Sequence, residues 1–173
     1  IIRCLIENGY DINMKDGYGG NALEWAAQEN RISNAKMLIE GGCDVNNLNG
    51  DGMTALYTAC AEGNADMARL LLDNNAEPDR TEDATPLIIA SCYGKIECVK
   101  LLLEHGADVN TIDNEGRTAL FYAMVYRQDE VEKLLSDNGA SYDICDKDGV
   151  SPTRLKDESV RERVYSELMG EEK

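Results

Sequence analysis

The chain of 173 residues carries 33 acidic and 17 basic side chains, and its formal net charge is −16. A field of this sign repels phosphate backbones, which excludes nucleic acid as a favoured partner. No apolar run approaches the roughly 20 residues that cross a bilayer, so we expect no membrane insertion.

The six cysteines include no Cys-x-x-Cys pair, and several stand at small-residue positions of predicted helices, where Cys behaves as a small hydrophobe. The single histidine, His105, stands at a predicted helix end and completes no zinc-ligand set. We therefore expect no metal and no cofactor. Free thiols are favoured over disulfides, which favours a reducing intracellular compartment, either cytoplasm or nucleus.

A helix–turn–helix pattern is clearest in residues 85–110. Thr85 followed by Pro86 predicts a helix start, because Thr caps free amides and Pro lacks an N–H that would be unpaired there. A second helix runs through the leucines at 101–103 and ends near Gly106, which favours a left-handed cap. An Asp-Val-Asn exit turn follows.

The same pattern recurs along the chain with a period of 33 residues. The helix starts Thr85, Thr118 and Ser151 and the exit-turn residues Asn13, Asn46 and Asp79 keep this spacing. The chain therefore resembles the ankyrin-repeat family over residues 1 to about 153. The resemblance implies an all-α solenoid of stacked helical hairpins with short β-turn fingers.

We expect one array with a partial repeat over 1–15, full repeats over 16–48, 49–81, 82–112 and 113–145, and a C-terminal capping repeat over 146–173. The partial repeat lacks its first helix, which favours a monomeric array that is part of a longer chain. The third repeat is two residues short, so its finger at 80–84 should be stunted. Asn75 replaces a Gly cap and tolerates the left-handed region.

The resemblance implies a non-catalytic module that binds a partner protein or peptide on a concave wall and at its fingertips. The candidates at or behind the fingertips are Tyr18, Asp51, Met53, Glu115 and Arg117. The candidates on the wall, which is the outward stripe of the first helices, are Trp25, Glu29, Glu62, Tyr93, Tyr122 and Tyr126, with Arg127 beside them.

We expect the partner's anchor on the third and fourth repeats. Tyr93, Tyr122 and Tyr126 share the outward stripe, and aromatic side chains often dominate interface energy. Arg127 stands where the fold prefers Gly, so it opposes stability without an evident structural return. The alternative is that the wall aromatics fill gaps against the fingers.

Two interpretations of the acidic charge stay open at this point. The charge either attracts a basic partner or keeps an elongated array in solution. An enzyme is the rival class, but the single histidine and the absence of a Gly-rich phosphate loop after a strand leave no catalytic set to nominate. A third class is a structural spacer or regulatory array within a larger multidomain protein or channel.

The family resemblance also implies a modification. Ankyrin arrays are substrates for asparagine hydroxylation at the Asn that follows an acidic-aliphatic pair in the exit turn. Asn46 and Asn110 match this motif in Asp-Val-Asn, and Asn13 is similar in Asp-Ile-Asn. The alternative is that these amides only hydrogen-bond the turn.

Overall fold

Polar caps and small residues at fixed spacing divide the chain into short helices, and the computed structural model describes residues 2–170. In chain order the helices are α1 Ile2–Glu7, α2 Ala22–Gln28, α3 Ile32–Glu40, α4 Ala55–Glu62, α5 Ala65–Asp73, α6 Pro86–Cys92, α7 Ile96–Glu104, α8 Ala119–Val125, α9 Asp129–Asp137, a 3-10 helix Arg154–Lys156 and α10 Glu158–Leu168. The expected all-α solenoid of helical hairpins is confirmed. Residues 1 and 171–173, at the ends of the expected partial and capping repeats, lie outside the described part.

The first helix of every full repeat begins at a buried polar cap. The capping residues are Asn21, Thr54, Thr85 and Thr118. Each side-chain oxygen accepts a hydrogen bond from an amide two or three residues further on, as in the 3.2 Å bond from the Phe121 amide to Thr118. Because the first amides of a helix have no partner within the helix, these caps satisfy donors that would otherwise be buried and unpaired.

The core is a continuous stack in which corresponding residues of successive repeats touch. The first helices α2, α4, α6 and α8 contact one another in a row, and the second helices α3, α5, α7 and α9 form a parallel row. The shared leucines Leu23, Leu56, Leu87 and Leu120 are 0–1% exposed, and the alanines three residues later are 0–6% exposed. Fully burying one leucine contributes about 1.5–3 kcal/mol, so each repeat is stabilised mainly by its neighbours.

The fingers are closed by one backbone hydrogen bond that spans four residues. It joins Asp16 to Gly20, Asn49 to Met53, Asp113 to Arg117 and Asp146 to Val150, at 2.9–3.0 Å from amide to carbonyl. In the third repeat the finger is replaced by a bend at residues 82–84, and the Glu82 amide donates to the Gly52 carbonyl of the preceding finger at 3.1 Å. The prediction of a stunted third finger is confirmed.

Three non-glycine residues adopt positive φ, and each stands in the register of a glycine elsewhere in the array. Asn75, with φ of 68°, ends α5 as predicted, and Asn30 does the same after α2. Arg127, with φ of 56°, follows α8 where Gly63 and Gly94 follow the earlier first helices. Asn tolerates this region but Arg does not, so Arg127 is the strained member.

The capping repeat departs from the pattern in its first helix. Thr153 stands in the register of the shared leucines but is exposed, and the short 3-10 helix brings Leu155 into the core with 0% exposure. The predicted terminal helix is α10, which packs on α8 through buried Val164. Its charged outer face closes the stack.

Asparagine amides in the exit turns join each repeat to the next. The Asn46 amide nitrogen donates to the Asn75 carbonyl at 3.0 Å, and its oxygen accepts the Glu77 amide at 2.8 Å. Asn13 and Asn110 make the same pair of bonds one repeat before and two repeats after. Each amide therefore satisfies one donor and one acceptor of the neighbouring turn.

Asp79 interrupts this series because a carboxylate can only accept. Its Oδ2 accepts the Asp108 amide at 3.0 Å, while its Oδ1 is enclosed and has no hydrogen-bond partner among the described residues. Burial raises the pKa of Asp79, and the nearby Asp108 charge raises it further against the lowering effect of that amide bond. Asp79 therefore makes one hydrogen bond to the neighbouring turn, where Asn13, Asn46 and Asn110 each make two.

We expect Asp79→Asn to raise the free energy of unfolding at pH 7 by about 1 kcal/mol, since it restores a hydrogen-bond donor and removes an enclosed charge. A raised carboxyl pKa destabilises the fold above the folded-state pKa and has no effect below the unfolded value of about 3.9. The gain should therefore shrink as the pH falls towards 3.9. Urea unfolding of both proteins across this pH range measures it. Asn46→Asp is the matched reverse change and should destabilise; equal stability of Asp79→Asn and the natural chain at pH 7 would contradict the interpretation.

Candidate partner-binding surface

The structure divides the sequence-derived candidates into exposed and partly buried sets. The exposed ones are Tyr18, Trp25, Glu29, Asp51, Glu62, Tyr93, Glu115 and Arg127. The partly buried ones are Met53, Arg117, Tyr122 and Tyr126. Val125, which the stripe pattern places outside, is only 2% exposed because α10 packs on α8, so that part of the predicted stripe is wrong.

The fourth-repeat tyrosines have partners within the protein. The Tyr122 hydroxyl donates to Asp113 at 2.7 Å, and its ring stacks on Tyr126 with centroids 6.5 Å apart. The Tyr126 ring meets the edge of Tyr165 from α10 at 5.7 Å. Burial raises the pKa of the Tyr122 hydroxyl, and the bond to Asp113 raises it further. Tyr122 and Tyr126 therefore make contacts within the fold that the outward stripe does not predict.

Arg127 also has a structural contact. Its guanidinium lies 2.9 Å from Glu158 and 3.9 Å from Glu162, both on α10. The three side chains are more than half exposed, so such pairs contribute only about 0–1 kcal/mol. A cavity of about 490 Å³ lies beside them, lined in part by Tyr126 and Tyr165. The assignment of Arg127 and Tyr126 to partner binding stays a prediction.

Arg117 ties the fourth finger to the capping repeat. Its guanidinium lies over the Phe121 ring, 5.5 Å from the centroid, and its Nε is 3.5 Å from Oδ2 of Asp146. Asp146 begins the next finger, and its other oxygen accepts the Val150 amide at 2.8 Å. The side chains of Arg117 and Asp146 are 14% and 2% exposed, so this pair is shielded from water.

The first finger is held to its helix by a tryptophan. The indole Nε1 of Trp25 donates to Oδ2 of Asp16 at 2.8 Å, and Oδ1 of Asp16 accepts the amides of Tyr18 and Gly20. These hydrogen bonds, that of Trp25 above all, lower the pKa of Asp16. Asp113 and Tyr122 make the same contact in the fourth repeat, again nine residues apart. This recurring spacing is the signal that sequence analysis missed.

Glu24 lies beneath this finger in an unusual position for a carboxylate. Its Oε1 accepts a hydrogen bond from the side-chain Nδ2 of Asn49 at 2.5 Å, whereas its Oε2 is enclosed and has no hydrogen-bond partner among the described residues. Burial raises the pKa of Glu24, and the charges of Asp16 and Asp51 raise it further. A cavity of about 150 Å³ opens here, lined by Asp16, Tyr18, Gly20, Glu24, Trp25, Gln28 and Asn49.

Acidic charge is concentrated on the fingers and first helices of the first three repeats. Residues 16–30, 49–63 and 82–94 contain seven acidic side chains and no Lys or Arg. These are Asp16, Glu24, Glu29, Asp51, Glu62, Glu82 and Asp83. The second-helix segments 31–41, 64–75 and 95–106 carry five acidic and five basic residues. Acidic and basic residues are therefore segregated along the sequence of these repeats.

Comparison with known proteins agrees with this architecture. The family model for ankyrin repeats, in its three-copy form, matches residues 1–82 and 76–148. The chain belongs to the ankyrin-repeat family. Ankyrin repeats are generally protein–protein interaction modules, and the family is generally non-catalytic.

A single stretch of 34 residues is 56% identical to mouse ankyrin repeat and SOCS box protein 12. This match covers 20% of the ankyrin chain described above and 11% of the mouse protein, which is about the length of one repeat. The likeness is therefore one of repeat sequence.

Neither a cluster of metal ligands nor a membrane-spanning helix occurs in the part of the chain that the structure describes. Within residues 2–170 no group of three or more His, Cys, Asp or Glu side chains is placed to hold a metal ion. None of the helices in that range is both long enough and apolar enough to cross a bilayer.

We expect Arg127→Gly to be more stable than Arg127→Ala by about 1 kcal/mol, because both lose the exposed ion pairs but only Gly relieves the left-handed backbone. Chemical denaturation of the two variants in parallel measures this difference. Arg127→Asn serves as the control, since Asn tolerates positive φ and should fall near the Gly variant. If the Ala variant equals the Gly variant, the strain assigned to Arg127 is absent.

Proposed function

We propose that this ankyrin array binds a basic segment of a partner protein on the first-helix wall and fingers of its first three repeats. The segregation of charge carries this proposal, since the finger and first-helix segments of these repeats contain seven acidic residues and no Lys or Arg. Among the described residues only Glu29 of the seven pairs with a basic side chain, that of Arg31 in the adjoining turn, at 3.9 Å. A face of one sign raises the rate of encounter with an oppositely charged segment and disfavours acidic competitors. The balanced second helices make the opposite face a poor site for the same segment.

Exposed aromatics supply anchors within this acidic face. Tyr18, Trp25 and Tyr93 are 81%, 51% and 57% exposed, and all three stand on fingers or first helices. Large rings in exposed positions are the side chains that most often dominate interface energy. They also attract Lys and Arg through the face of the ring, which suits the charge around them.

The cellular setting is part of the same proposal. All six cysteines are free thiols, which supports a reducing intracellular compartment. In this proposal the array acts as a monomer, and the short match to a SOCS box protein does not assign it that protein's role. A spacer without a ligand is the second candidate, and the binding experiment below separates the two.

A random peptide library selected against the whole array tests the proposal. We expect the recovered peptides to carry net positive charge, and their association rate should fall between roughly 0.05 and 0.5 M salt, as screening shortens the reach of the acidic face. Trp25→Ala and Tyr93→Ala should each weaken binding about tenfold or more, as loss of an interface anchor does.

Tyr10→Ala is the matched control, because Tyr10 is 65% exposed but precedes the first finger and the wall. It should leave the affinity unchanged. Recovered peptides without a positive bias, or with equal association rates at low and high salt, would contradict a basic partner. Failure to recover any binder would favour the spacer.

Hydroxylation of Asn13, Asn46 and Asn110 stays a prediction. Each amide bridges two repeats, so an enzyme that reaches it must first open that exit turn locally. Mass spectrometry of protein isolated from cells should find one added oxygen on peptides containing these residues. Asn138, an exposed asparagine that ends α9 outside the motif, is the internal control. No added oxygen at any of the three would remove the prediction.

A further inference from the structure

The cavity beneath the first finger lies where the fourth repeat holds an arginine side chain. In the repeat register Gly20 corresponds to Arg117, Glu24 to Phe121, Trp25 to Tyr122, Asp16 to Asp113 and Asn49 to Asp146. The finger bond and the aromatic-to-Asp contact recur at both places. The two sites therefore share a frame, which consists of the finger hydrogen bond and the aromatic-to-Asp contact. They differ in the side chains that this frame encloses.

In the fourth repeat the frame holds a guanidinium. Arg117 packs over Phe121 and pairs with Asp146, while Asp113 is held nearby by Tyr122. Asp146, which pairs with the guanidinium, belongs to the next finger, and Phe121, which supplies the aromatic surface, lies on α8. This arrangement shows that the space between a finger and its first helix accepts an arginine.

In the first repeat a cavity of about 150 Å³ lies beside Gly20, which has no side chain, and the Glu24 carboxylate takes part of the room that such a side chain would need. A cavity of about this size holds six heavy atoms in other proteins, which suits a guanidinium with its first methylenes. Its rim carries the rings of Tyr18 and Trp25, which are both exposed to solvent.

The charges around this cavity complement a cation. Glu24 stands at the repeat position of Phe121. The carboxylate that would pair with a cation therefore lies at the bottom of the first-repeat site. Its enclosed Oε2 has no hydrogen-bond donor, and neither Glu24 nor Asp16 forms an ion pair with Lys or Arg among the described residues. An enclosed carboxylate oxygen without a donor is destabilising until a donor reaches it.

We propose that this pocket, formed by Asp16, Tyr18, Gly20, Glu24, Trp25 and Asn49, receives an arginine side chain of the partner. This proposal rests on the proposed function and specifies which side chain of the basic segment the acidic face binds at this position. A guanidinium donates to the enclosed Glu24 oxygen while its flat face stacks on the rings of the rim, whereas an ammonium is a compact point charge without a planar face to stack.

An intramolecular test supplies the arginine from the array itself. A Cβ at Gly20 would lie 2.8 Å from Oε2 of Glu24, the mobile end of a side chain, and the backbone there is not in the left-handed region. Gly20→Arg should therefore fold. Its melting temperature should exceed that of Gly20→Met, the matched uncharged variant, which carries the residue that the second repeat has at this position, Met53. The difference should disappear when Glu24 is also changed to Gln. A Gly20→Arg protein no more stable than Gly20→Met would overturn the proposal.

An intermolecular test uses Trp25, the only tryptophan of the chain, as a fluorescent reporter. The probes are an acetylated, amidated Gly-Arg-Gly tripeptide and its citrulline counterpart, which keeps the shape without the charge. The arginine probe should give a saturable change in fluorescence, and the citrulline probe should bind about tenfold or more weakly, as charge-assisted hydrogen bonds are lost. If the citrulline tripeptide, or a tripeptide with lysine in place of arginine, binds as tightly as the arginine probe, the assignment of a guanidinium is wrong.

Matched variants localise the effect. Glu24→Gln and Gly20→Arg should each abolish the response, whereas Glu40→Gln removes an exposed charge at the end of α3, outside the acidic face, and should retain it. If the basic peptides selected above bind Gly20→Arg as tightly as the natural array, the pocket is wrong and the proposed function stands. If Gly20→Arg is stabilised but no basic peptide binds the natural array, the partner proposal fails instead.

Discussion

Close contact between successive first helices is the constraint on which the whole structure depends. Each hairpin is too small to bury its apolar side alone, so the leucine and alanine of each first helix must meet their counterparts in the next. Ala59, Ala90 and Ala123 are fully enclosed and keep the helices near one another. Because this contact occupies one side of every first helix, the opposite side is free to vary, and there the charge and aromatic pattern differs between repeats.

The fingers show how one frame can serve two purposes. In the first and fourth repeats an aromatic side chain holds the opening Asp of the finger, which sets the finger over its helix. The fourth repeat fills the enclosed space with Arg117 and Phe121 and so joins the array to its capping repeat. The first repeat leaves the space open and lines it with a carboxylate. The pocket that we propose thus lies where one side chain of a stabilising contact is missing.

The two ends of the wall have different chemistry for a physical reason. Where α10 covers α8, the tyrosines of the fourth repeat stack on one another and on Tyr165, and Arg127 reaches the acidic start of α10. Features that suggest a binding surface in the sequence therefore contribute to closing the stack. Tyr93 lies one repeat earlier, beyond the reach of these contacts, and stays exposed. The acidic face and the exposed rings coincide on the first three repeats.

The sequence by itself determined the repeats, their caps, the stunted third finger and the left-handed Asn75, because each depends on residues close together in the chain. It also showed the candidate rings and the net charge. Only the tertiary structure decided which rings are free, since the exposure of Tyr126 or Val125 depends on α10, which lies more than 30 residues away in sequence. The pocket at Gly20 was likewise decided in three dimensions. Its enclosure of Glu24 depends on how the finger folds over α2 and meets Asn49 of the next repeat, and no local pattern carries that geometry.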